Sequence, residues 1–488
     1  MNIDPRTPVI VGAGQINDRD LGSEPVDLMT RCSEAALADA GGSGLRERIQ
    51  AVRVVWGVWP YQDPGRLVAE RLGCPDAETT ITTSGGNQVY DLLIDTANRI
   101  AAGDLDVAVV CAAESMRTRR KDRARGVTST YLAERDGAAP HLVLGSELPL
   151  SGPTEEAIGA HHPTRFYAMA ETALRHRLGE DIDAHQRRIA GLWARASEIA
   201  AANPSAWLRQ PLSADEVMTV TDRNRPIAAP YPKLMTSNLD VDQGGAVVIC
   251  SAAAAEAAGI PRDRWVFPWS GSGAADHWYP TNRWAFDESP AMRVVGRDTL
   301  GLAGLDVDDC AIIDLYSCFP VAVQTAQREM GIPTDRDWTI TGGLTFAAGP
   351  LNCYCILPLT RAVGLLRSSP EQRALLTGNG GFFTKHSAIV LSGTPSTTGF
   401  RSSHPQNEVD ALPSRPTPTT PATSGTLETY TVTYERDLRP ERAIVTVLDA
   451  EGRRHWAEST DGDTMSELLE HDCCGRSVAL DSITARLD

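Results

Sequence analysis

The chain has 488 residues, with 46 basic and 63 acidic side chains and a net charge of −17. Its hydrophobic fraction of 42% and charged fraction of 22% exclude a disordered chain, a collagen, a coiled coil and a disulfide-rich miniprotein. The length predicts about three domains. The acidic balance argues against binding to nucleic acid or to anionic membranes, because the long-range field repels phosphates.

The ten cysteines fall mostly in apolar, strand-like runs and lack the paired spacing of zinc sites. We predict reduced thiols in a cytoplasmic protein, with no metal and no permanently bound cofactor. The first fifteen residues do not resemble a secretory signal. The longest apolar tract, GGAVVICSAAAAEAAGI, is interrupted by Glu256 and predicts a strand followed by a helix, so we expect no integral membrane protein.

The first elements alternate between strand and helix. Short apolar strands are predicted at 9–12, 51–59 and 106–113, and helices at 25–40 and 89–100. In the second helix the apolar side chains share one face. This alternation, without a two-residue period, predicts a parallel or mixed α/β sheet covered on both faces.

A long insertion interrupts this first unit. Residues 117–235 are richer in charge and turn formers, with helices predicted at 168–178 and 184–202. The strand pattern then resumes at 244–251. We therefore assign residues 1–116 and 236–260 to one half of the molecule and residues 117–235 to an inserted loop domain.

Residues 261–400 form a second α/β unit of similar pattern, which suggests an internal duplication. A strand and turn at 310–319 precede a helix at 321–331, and 373–393 predicts strand, glycine turn and strand. Residues 401–425, rich in Pro, Ser and Thr, predict a linker or a surface-bound extended strip. Residues 426–488 alternate with period two and predict a small OB-like β-barrel.

Seven segments in this order resemble motifs of the thiolase superfamily, nearest the sterol-carrier-type thiolases and the thiolase-like proteins with an added C-terminal domain. They are PVIVGAGQ, TTSGGNQVYDLL, AAESM, PYPKLMTSNLDVDQGGAVVICS, DLYSCFP, GGLTFAAGP and GNGGFF. The resemblance covers about residues 5–400 and implies a duplicated, five-layered α-β-α-β-α fold. It also implies that the inserted loop domain binds coenzyme A.

The four positions at which thiolases carry functional side chains are changed here. Thr82 aligns with the nucleophilic cysteine, and Tyr316 with the asparagine or histidine that holds a water. Gly349 takes the place of the histidine and Gly378 that of the second cysteine. The resemblance implies an acetyl-CoA acetyltransferase-like acyltransferase, but these replacements predict that the standard reaction is absent.

Four residues are candidates for unconventional catalysis. Thr82 and Ser84 lie where a nucleophile would be, although a hydroxyl needs a general base, so a turn or ligand-contact role is the alternative. Tyr316 could stabilise an oxyanion or transfer a proton, or could be a buried tyrosine with a satisfied hydroxyl. His386, next to Lys385, could replace the missing acid/base or could be a packed histidine.

Seven residues are candidates for binding the phosphates of coenzyme A. Arg117, Arg119, Arg120 and Lys121 begin the densest basic run of the acidic chain, and a solvated loop is the alternative interpretation. The second group is His161, His162 and Arg165, at a segment that the resemblance places against coenzyme A.

Two functions remain open. The first is an acyl-CoA-handling enzyme of lipid metabolism, an acyltransferase or carbon–carbon lyase. The second is a non-catalytic acyl-CoA or lipid-binding scaffold that serves a partner protein, with the C-terminal domain as the surface for that partner. In thiolases the strand before the nucleophile loop joins two subunits. Because this stretch, AETTITT, is polar here, both a monomer and a homodimer stay open.

Overall fold

The structure is a computed structural model that describes residues 3–20, 22–146 and 148–487. Eighteen strands occur in these residues: β1 (Pro8–Asn17), β2 (Ala51–Val54), β3 (Glu78–Thr82), β4 (Val107–Ser115), β5 (Leu142–Leu144), β6 (Pro226–Ala228), β7 (Tyr231–Pro232), β8 (Asp242–Ser251), β9 (Phe267–Ala275), β10 (Ile312–Asp314), β11 (Arg373–Gly380), β12 (Lys385–Ser392), β13 (Arg401–Ser403), β14 (Ser424–Tyr434), β15 (Pro440–Leu448), β16 (Arg454–Ser459), β17 (Ser477–Asp481) and β18 (Thr484–Leu487).

Fifteen α-helices lie in the same ranges: α1 (Pro25–Ala40), α2 (Pro64–Leu72), α3 (Gln88–Ala102), α4 (Met116–Ala124), α5 (Pro153–Ala157), α6 (Pro163–Leu178), α7 (Ile182–Ala202), α8 (Ala214–Met218), α9 (Ala252–Ala257), α10 (Pro290–Ala303), α11 (Pro320–Met330), α12 (Gly343–Phe346), α13 (Ile356–Ser368), α14 (Gln406–Asp410) and α15 (Gly462–Glu470). None of these helices is long and apolar enough to cross a membrane.

Two sheets form the body of the molecule. The first has the order β1-β8-β4-β2-β3-β5 and is mixed, with β8 antiparallel to both of its neighbours. The second has the order β10-β11-β12-β9-β13. Every residue of β4, β8 and β12 is buried, which explains why apolar and small residues predominate in them without a two-residue period.

Helices cover both sheets and separate them. α1 and α2 pack on the outer face of the first sheet, and α10 packs on the second. α3 and α13 lie between the sheets and contact strands of both. The apolar face predicted for α3 is buried in this central layer, and the helix ends at Gly103, whose φ of 85° suits glycine. These five layers confirm the α-β-α-β-α fold that the sequence resemblance implies.

The segment 117–235 extends both the first sheet and the C-terminal sheet. Its strand β5 pairs with β3 at the edge of the first sheet, and its strand β6 pairs with β14. Since β5 occupies the outer side of β3, the strand edge that joins two subunits in thiolases is already hydrogen-bonded within this chain.

The C-terminal strands close into a five-stranded barrel. β14 pairs with β15 and β17, β15 pairs with β16, and β18 joins β16 to β17. α15 lies between the third and fourth of these strands, so the connectivity is that of a Greek-key barrel, as expected for an OB-like domain. In the stretch 401–425, predicted as a linker, β13 pairs with β9 and α14 packs against the same strand.

Arg454 links the C-terminal barrel to the two-sheet body of the molecule. This side chain is fully buried, and its Nε donates to Glu428 Oε2 at 2.6 Å. Its Nη1 donates to the carbonyls of Pro280 and Arg283, both at 2.6 Å, and the guanidinium lies 4.4 Å from the centre of the Phe286 ring. A buried guanidinium is stable only when its N–H groups are hydrogen-bonded, so these contacts fix the position of the barrel against the body.

We expect the substitution Arg454→Met to lower the free energy of unfolding by about 3–5 kcal/mol, because it removes a buried guanidinium from its carbonyl partners and leaves the partly buried Glu428 carboxylate with only the more distant Arg415 as a cation. Urea unfolding measures the loss, and hydrogen exchange should show faster exchange in strands β14–β18. The matched control is Arg439→Met, whose ion pairs with Asp437 and Glu435 are exposed and screened by water, so it should lower the free energy of unfolding much less. Equal effects of the two variants would contradict this account of the docking.

Candidate functional site

The loop between β3 and α3 lies at the centre of the candidate site. It contains Gly85 and Gly86, and neither position has room for a side chain. A Cβ on Gly86 would lie 2.5 Å from the Asn379 carbonyl oxygen, and a Cβ on Gly85 would lie 2.9 Å from Lys385 Nζ. The φ of Gly85, 155°, also favours glycine. The loop is therefore in close contact with the second half of the chain.

Asn352 holds this loop from the second half. Its Oδ1 accepts a hydrogen bond from the Gly85 N–H at 3.0 Å, and its Nδ2 donates to the Trp56 carbonyl at 3.0 Å. The same Nδ2 lies 3.5 Å from Ser84 Oγ. The amide thus bridges the loop to the segment that follows β2. The sequence offered no signal for Asn352, because an asparagine in an irregular segment fits no motif.

Lys385 is the second residue that reaches the loop. It begins β12, is 6% exposed, and its Nζ donates to the Ser84 carbonyl. The ammonium also lies 5.8 Å from the centre of the Trp278 ring. Burial lowers the pKa of Lys385 to about 8, and the nearby Asp91 carboxylate opposes this shift.

A pocket of about 490 Å³ opens beside the loop. It is lined by Trp56, Trp59, Pro60, Tyr61, Gln62, Ile81, Thr82, Thr83, Ser84, Pro140, Val143, Ser146, Leu148, Leu150 and Lys385. Val143 and Leu148 on its rim are 47% and 57% exposed, so the pocket communicates with solvent. Aromatic and aliphatic side chains form part of its walls, and its polar groups are the Gln62 amide, the hydroxyls of Thr82, Thr83, Ser84 and Ser146, and the Lys385 amine.

The structure places Thr82 and Ser84 in this pocket, together with Thr83. Thr82 Oγ1 accepts a hydrogen bond from the Trp56 N–H at 3.0 Å, and Thr83 Oγ1 accepts one from Gln88 Nε2 at 3.4 Å. In the described residues, no histidine or carboxylate contacts these hydroxyls. The basic group that reaches the loop is the Lys385 amine, which donates to the Ser84 carbonyl.

Tyr316 lies behind the loop and does not line the pocket. A Cβ on Gly86 would lie 2.6 Å from its Cζ, and its ring packs edge-on against Tyr354 with the centroids 5.6 Å apart. Burial raises the pKa of Tyr316 well above its usual value. A phenol with a raised pKa can donate a hydrogen bond but is a poor proton acceptor.

His386 faces away from the pocket, because successive residues of a strand point to opposite sides of the sheet. Its Nε2 lies 2.8 Å from the Phe383 carbonyl oxygen, 3.0 Å from Ser289 Oγ and 3.4 Å from Asp276 Oδ2. The ring is buried and its partners are all protein groups. The structure therefore separates His386 from Thr82, Ser84 and Tyr316 and brings its neighbour Lys385 into the pocket.

No cysteine of this chain resembles an activated thiol. All ten are free, nine are buried, and burial raises the pKa of every one. For Cys318, which follows Tyr316 in the same motif, burial raises the pKa to about 12. A thiol of this kind is protonated at neutral pH and is a weak nucleophile.

Comparison with known proteins identifies the family. Residues 405–482 match the family model described as the thiolase-like protein type 1 additional C-terminal domain. The crystal structure of a monomeric SCP2-thiolase-like protein type 1 from Mycobacterium smegmatis is 30% identical, with all of both chains covered and a TM-score of 0.85. The chain belongs to the SCP2-thiolase-like proteins of type 1.

A more distant structure shares the fold. The Ltp2-ChsH2(DUF35) aldolase is 19% identical to this type 1 thiolase-like protein, and the match covers 80% of this chain and 98% of the other at a TM-score of 0.61. None of the curated proteins matches the chain.

In this type 1 thiolase-like protein, neighbouring groups crowd Gly349 and Gly378, the two positions predicted from the sequence to correspond to a histidine and a cysteine of thiolases. A Cβ on Gly349 would lie 2.7 Å from the Leu344 side chain. A Cβ on Gly378 would lie 2.8 Å from Asn87 Cα and 3.0 Å from Ser387 Oγ. A histidine or a cysteine therefore fits at neither position unless the surrounding atoms move.

The basic run predicted to bind coenzyme A lies on and just after α4. Arg117 donates to the Arg19 carbonyl, Arg119 to the Val58 carbonyl, and Arg120 forms a bidentate ion pair with Asp240. Lys121 is partly exposed. Within the described residues, the guanidinium groups of Arg123 and Arg125 have no hydrogen-bond or ion-pair partner.

Two pockets flank α4, with volumes of about 700 and 330 Å³. Arg119 and Tyr131 line both, Arg123 lines the larger one and Arg125 the smaller one.

Aromatic side chains connect these pockets to the pocket beside the loop. The ring centroids of Trp56 and Trp59 are 6.4 Å apart, those of Trp59 and Tyr61 5.3 Å, and those of Tyr61 and Tyr131 5.7 Å. We call Trp56, Trp59, Tyr61 and Tyr131 the aromatic row. Trp56, Trp59 and Tyr61 line the pocket beside the loop, and Tyr131 lines both pockets beside α4.

The second predicted cluster lies elsewhere. His161 pairs with Glu156 at 3.1 Å, His161 and His162 stack, and Arg165 donates to the Gly159 carbonyl. A Cβ on Gly159 would lie 2.9 Å from Arg442 of the barrel, so this cluster borders the C-terminal domain. None of the three lines the pocket beside the loop or the pockets beside α4.

One group of metal-ligating side chains occurs in the described residues, namely His176, Asp472 and Cys474. Arg175 pairs with Asp472 at 3.2 Å, and burial raises the pKa of the Cys474 thiol. The guanidinium already neutralises the carboxylate, so this arrangement is better explained as an ion-pair network than as a cation site.

We expect Gly378→Ala to lower the free energy of unfolding by about 1–3 kcal/mol, because the added methyl group overlaps Asn87 at the start of α3. Gly364→Ala is the matched control. It lies in α13 with no atom within 4 Å of the new Cβ, and should be neutral or stabilise by up to about 1 kcal/mol. Chemical denaturation measures both, and an unchanged stability of Gly378→Ala would contradict the crowding described above.

Proposed function

We propose that this protein binds an acyl-CoA thioester, with the nucleotide part beside α4 and the acyl part in the pocket beside the loop. The aromatic row is the observation that carries this proposal, since it joins the two places through van der Waals contact. A coenzyme A thioester is a long ligand with an anionic end and a neutral end. A basic helix and an aromatic pocket at the two ends of one row match that distribution of charge.

The charges of α4 support the placement of the phosphates. Arg123 and Arg125 are exposed and face pockets on either side of the helix, so an anion could reach both without breaking an existing ion pair. Guanidinium groups bind phosphate oxygens with two parallel hydrogen bonds. Because the chain as a whole carries a charge of −17, an anionic ligand is attracted only where basic groups are locally in excess.

The proposed function does not include the covalent acyl transfer of thiolases. Three observations support this restriction. The position of the nucleophilic cysteine is Thr82, whose hydroxyl is engaged with the Trp56 N–H. The positions of the histidine and second cysteine are crowded glycines, and every thiol of the chain has a raised pKa.

We also propose that the protein acts as a monomer with its barrel in a fixed position. The pairing of β5 with β3 and the burial of Arg454 support this, because both leave fewer free surfaces for association. In this arrangement the outer surface of the barrel is the place for a protein partner. The DUF35 component named for the distant aldolase is a precedent for a partner of a thiolase fold.

Isothermal calorimetry with coenzyme A and hexanoyl-CoA tests the proposal. The double variant Arg123→Glu/Arg125→Glu should bind coenzyme A at least about tenfold more weakly, since each lost charge-assisted hydrogen bond is worth about 1.5–3 kcal/mol. Binding to the wild type should also weaken with added salt.

Arg436→Glu is the control, because it makes one Arg→Glu replacement of the same kind on an exposed turn of the barrel. It should change the dissociation constant less than about twofold, as expected for a distant screened charge. The proposal fails if the wild type binds neither coenzyme A nor hexanoyl-CoA, or if the double variant behaves like the control.

A further inference from the structure

The chain contains few lysines, and one of them lies in the pocket beside the loop. Among its 46 basic residues only Lys121, Lys233 and Lys385 are lysines, and the others are arginines. Lys233 is exposed and Lys121 partly exposed, whereas Lys385 is 6% exposed. Of the three lysines, Lys385 is therefore the buried one, and its amine lines a cavity.

The environment of Lys385 does not neutralise its charge by direct contact. Its Nζ donates to the Ser84 carbonyl and lies near the Trp278 ring, and both groups are uncharged. The titratable group that influences the pKa of Lys385 is Asp91. The Asp91 carboxylate accepts a hydrogen bond from Asn87 Nδ2 at 2.6 Å. Burial raises the pKa of Asp91 to about 7, so its own negative charge is incomplete at neutral pH.

A guanidinium could serve equally well as a donor to the Ser84 carbonyl, and the chain uses arginine for such contacts elsewhere, as in Arg119 and the Val58 carbonyl. What lysine supplies and arginine does not is an amine that loses its proton near neutral pH and acts as a nucleophile. Burial lowers the pKa of Lys385 to about 8, which leaves a substantial unprotonated fraction at neutral pH.

We propose that Lys385 Nζ forms an imine with an aldehyde or ketone carbonyl of a ligand held in the pocket beside the loop. The lone pair of the neutral amine attacks the carbonyl carbon, and a C–N bond forms. The carbonyl oxygen takes up two protons and leaves as water, while the nitrogen gives up its two protons. No oxidant, reductant or metal is required, and the reaction is reversed by water entering from the open rim.

The surroundings of Nζ suit this step. The glycine at position 85 leaves the space next to the amine free of a side chain, since a Cβ there would lie 2.9 Å from Nζ. The hydroxyls of Thr82, Thr83 and Ser84 line the same pocket and can donate hydrogen bonds to a carbonyl oxygen. The aromatic walls favour a ligand with an apolar chain attached to the carbonyl. This inference rests on the proposed function only in that it uses the same pocket.

Reductive trapping tests the inference on the full chain. The protein is incubated with hexanal and sodium cyanoborohydride at pH 7.5, and the modified lysines are identified by peptide mass spectrometry. Lys385 should be alkylated at least about tenfold faster than the exposed Lys233, because Lys385 lines a pocket that can hold the aldehyde and burial favours its neutral amine. The rate at Lys385 should saturate with hexanal concentration, as expected when the aldehyde binds in the pocket before it reacts.

Two variants serve as controls. Lys385→Arg should lose the adduct at this position, and Lys233→Arg should retain it. The inference is overturned if Lys385 is not alkylated, if it reacts no faster than Lys233, or if its rate increases linearly without saturation.

Calorimetry with coenzyme A on the same preparation separates this inference from the proposed function. Trapping at Lys385 without coenzyme A binding would refute the proposed function and support the imine. Coenzyme A binding without trapping would refute the imine alone.

Discussion

The arrangement of the site depends on two side chains from the second half of the chain that hold a loop of the first half. Asn352 binds the Gly85 N–H and the Trp56 carbonyl, and Lys385 binds the Ser84 carbonyl. These contacts cross the central layer of a duplicated fold, in which neither half has a complete site. Because the loop is glycine-rich and closely packed, its position is set by these hydrogen bonds and by the absence of side chains.

The same close packing limits the side chains that fit at Gly349 and Gly378, the two positions that the sequence resemblance aligns with a histidine and a cysteine of thiolases. The space that a histidine or a second cysteine would need is occupied by Leu344 and by the start of α3. The pocket is instead lined by aromatic rings and hydroxyls, with one amine. The aromatic side of such a pocket can bind a neutral acyl chain, whereas the chemistry of the pocket depends on a group in it that can change protonation near neutral pH.

Much of the fold could be predicted from periodicity, and part of the site could not. The apolar face of α3, the runs of β4 and β8 and the barrel strands are repeated local patterns, and the structure confirms them. His386 and Lys385 are adjacent, and which of them enters the pocket depends on the register of β12 against β9 and β11, which sequence alone does not determine. The rarity of lysine, by contrast, distinguishes Lys385 in the sequence alone.

The central claim is that one ligand spans α4, the aromatic row and the pocket beside the loop. Hydrogen–deuterium exchange with and without hexanoyl-CoA tests it most directly, because this method reports every segment at once. The account predicts slower exchange in the segments 56–62, 82–87 and 116–131 together when hexanoyl-CoA is bound. Protection confined to another surface, such as the segment 159–165 beside the barrel, or no protection at all, would contradict it.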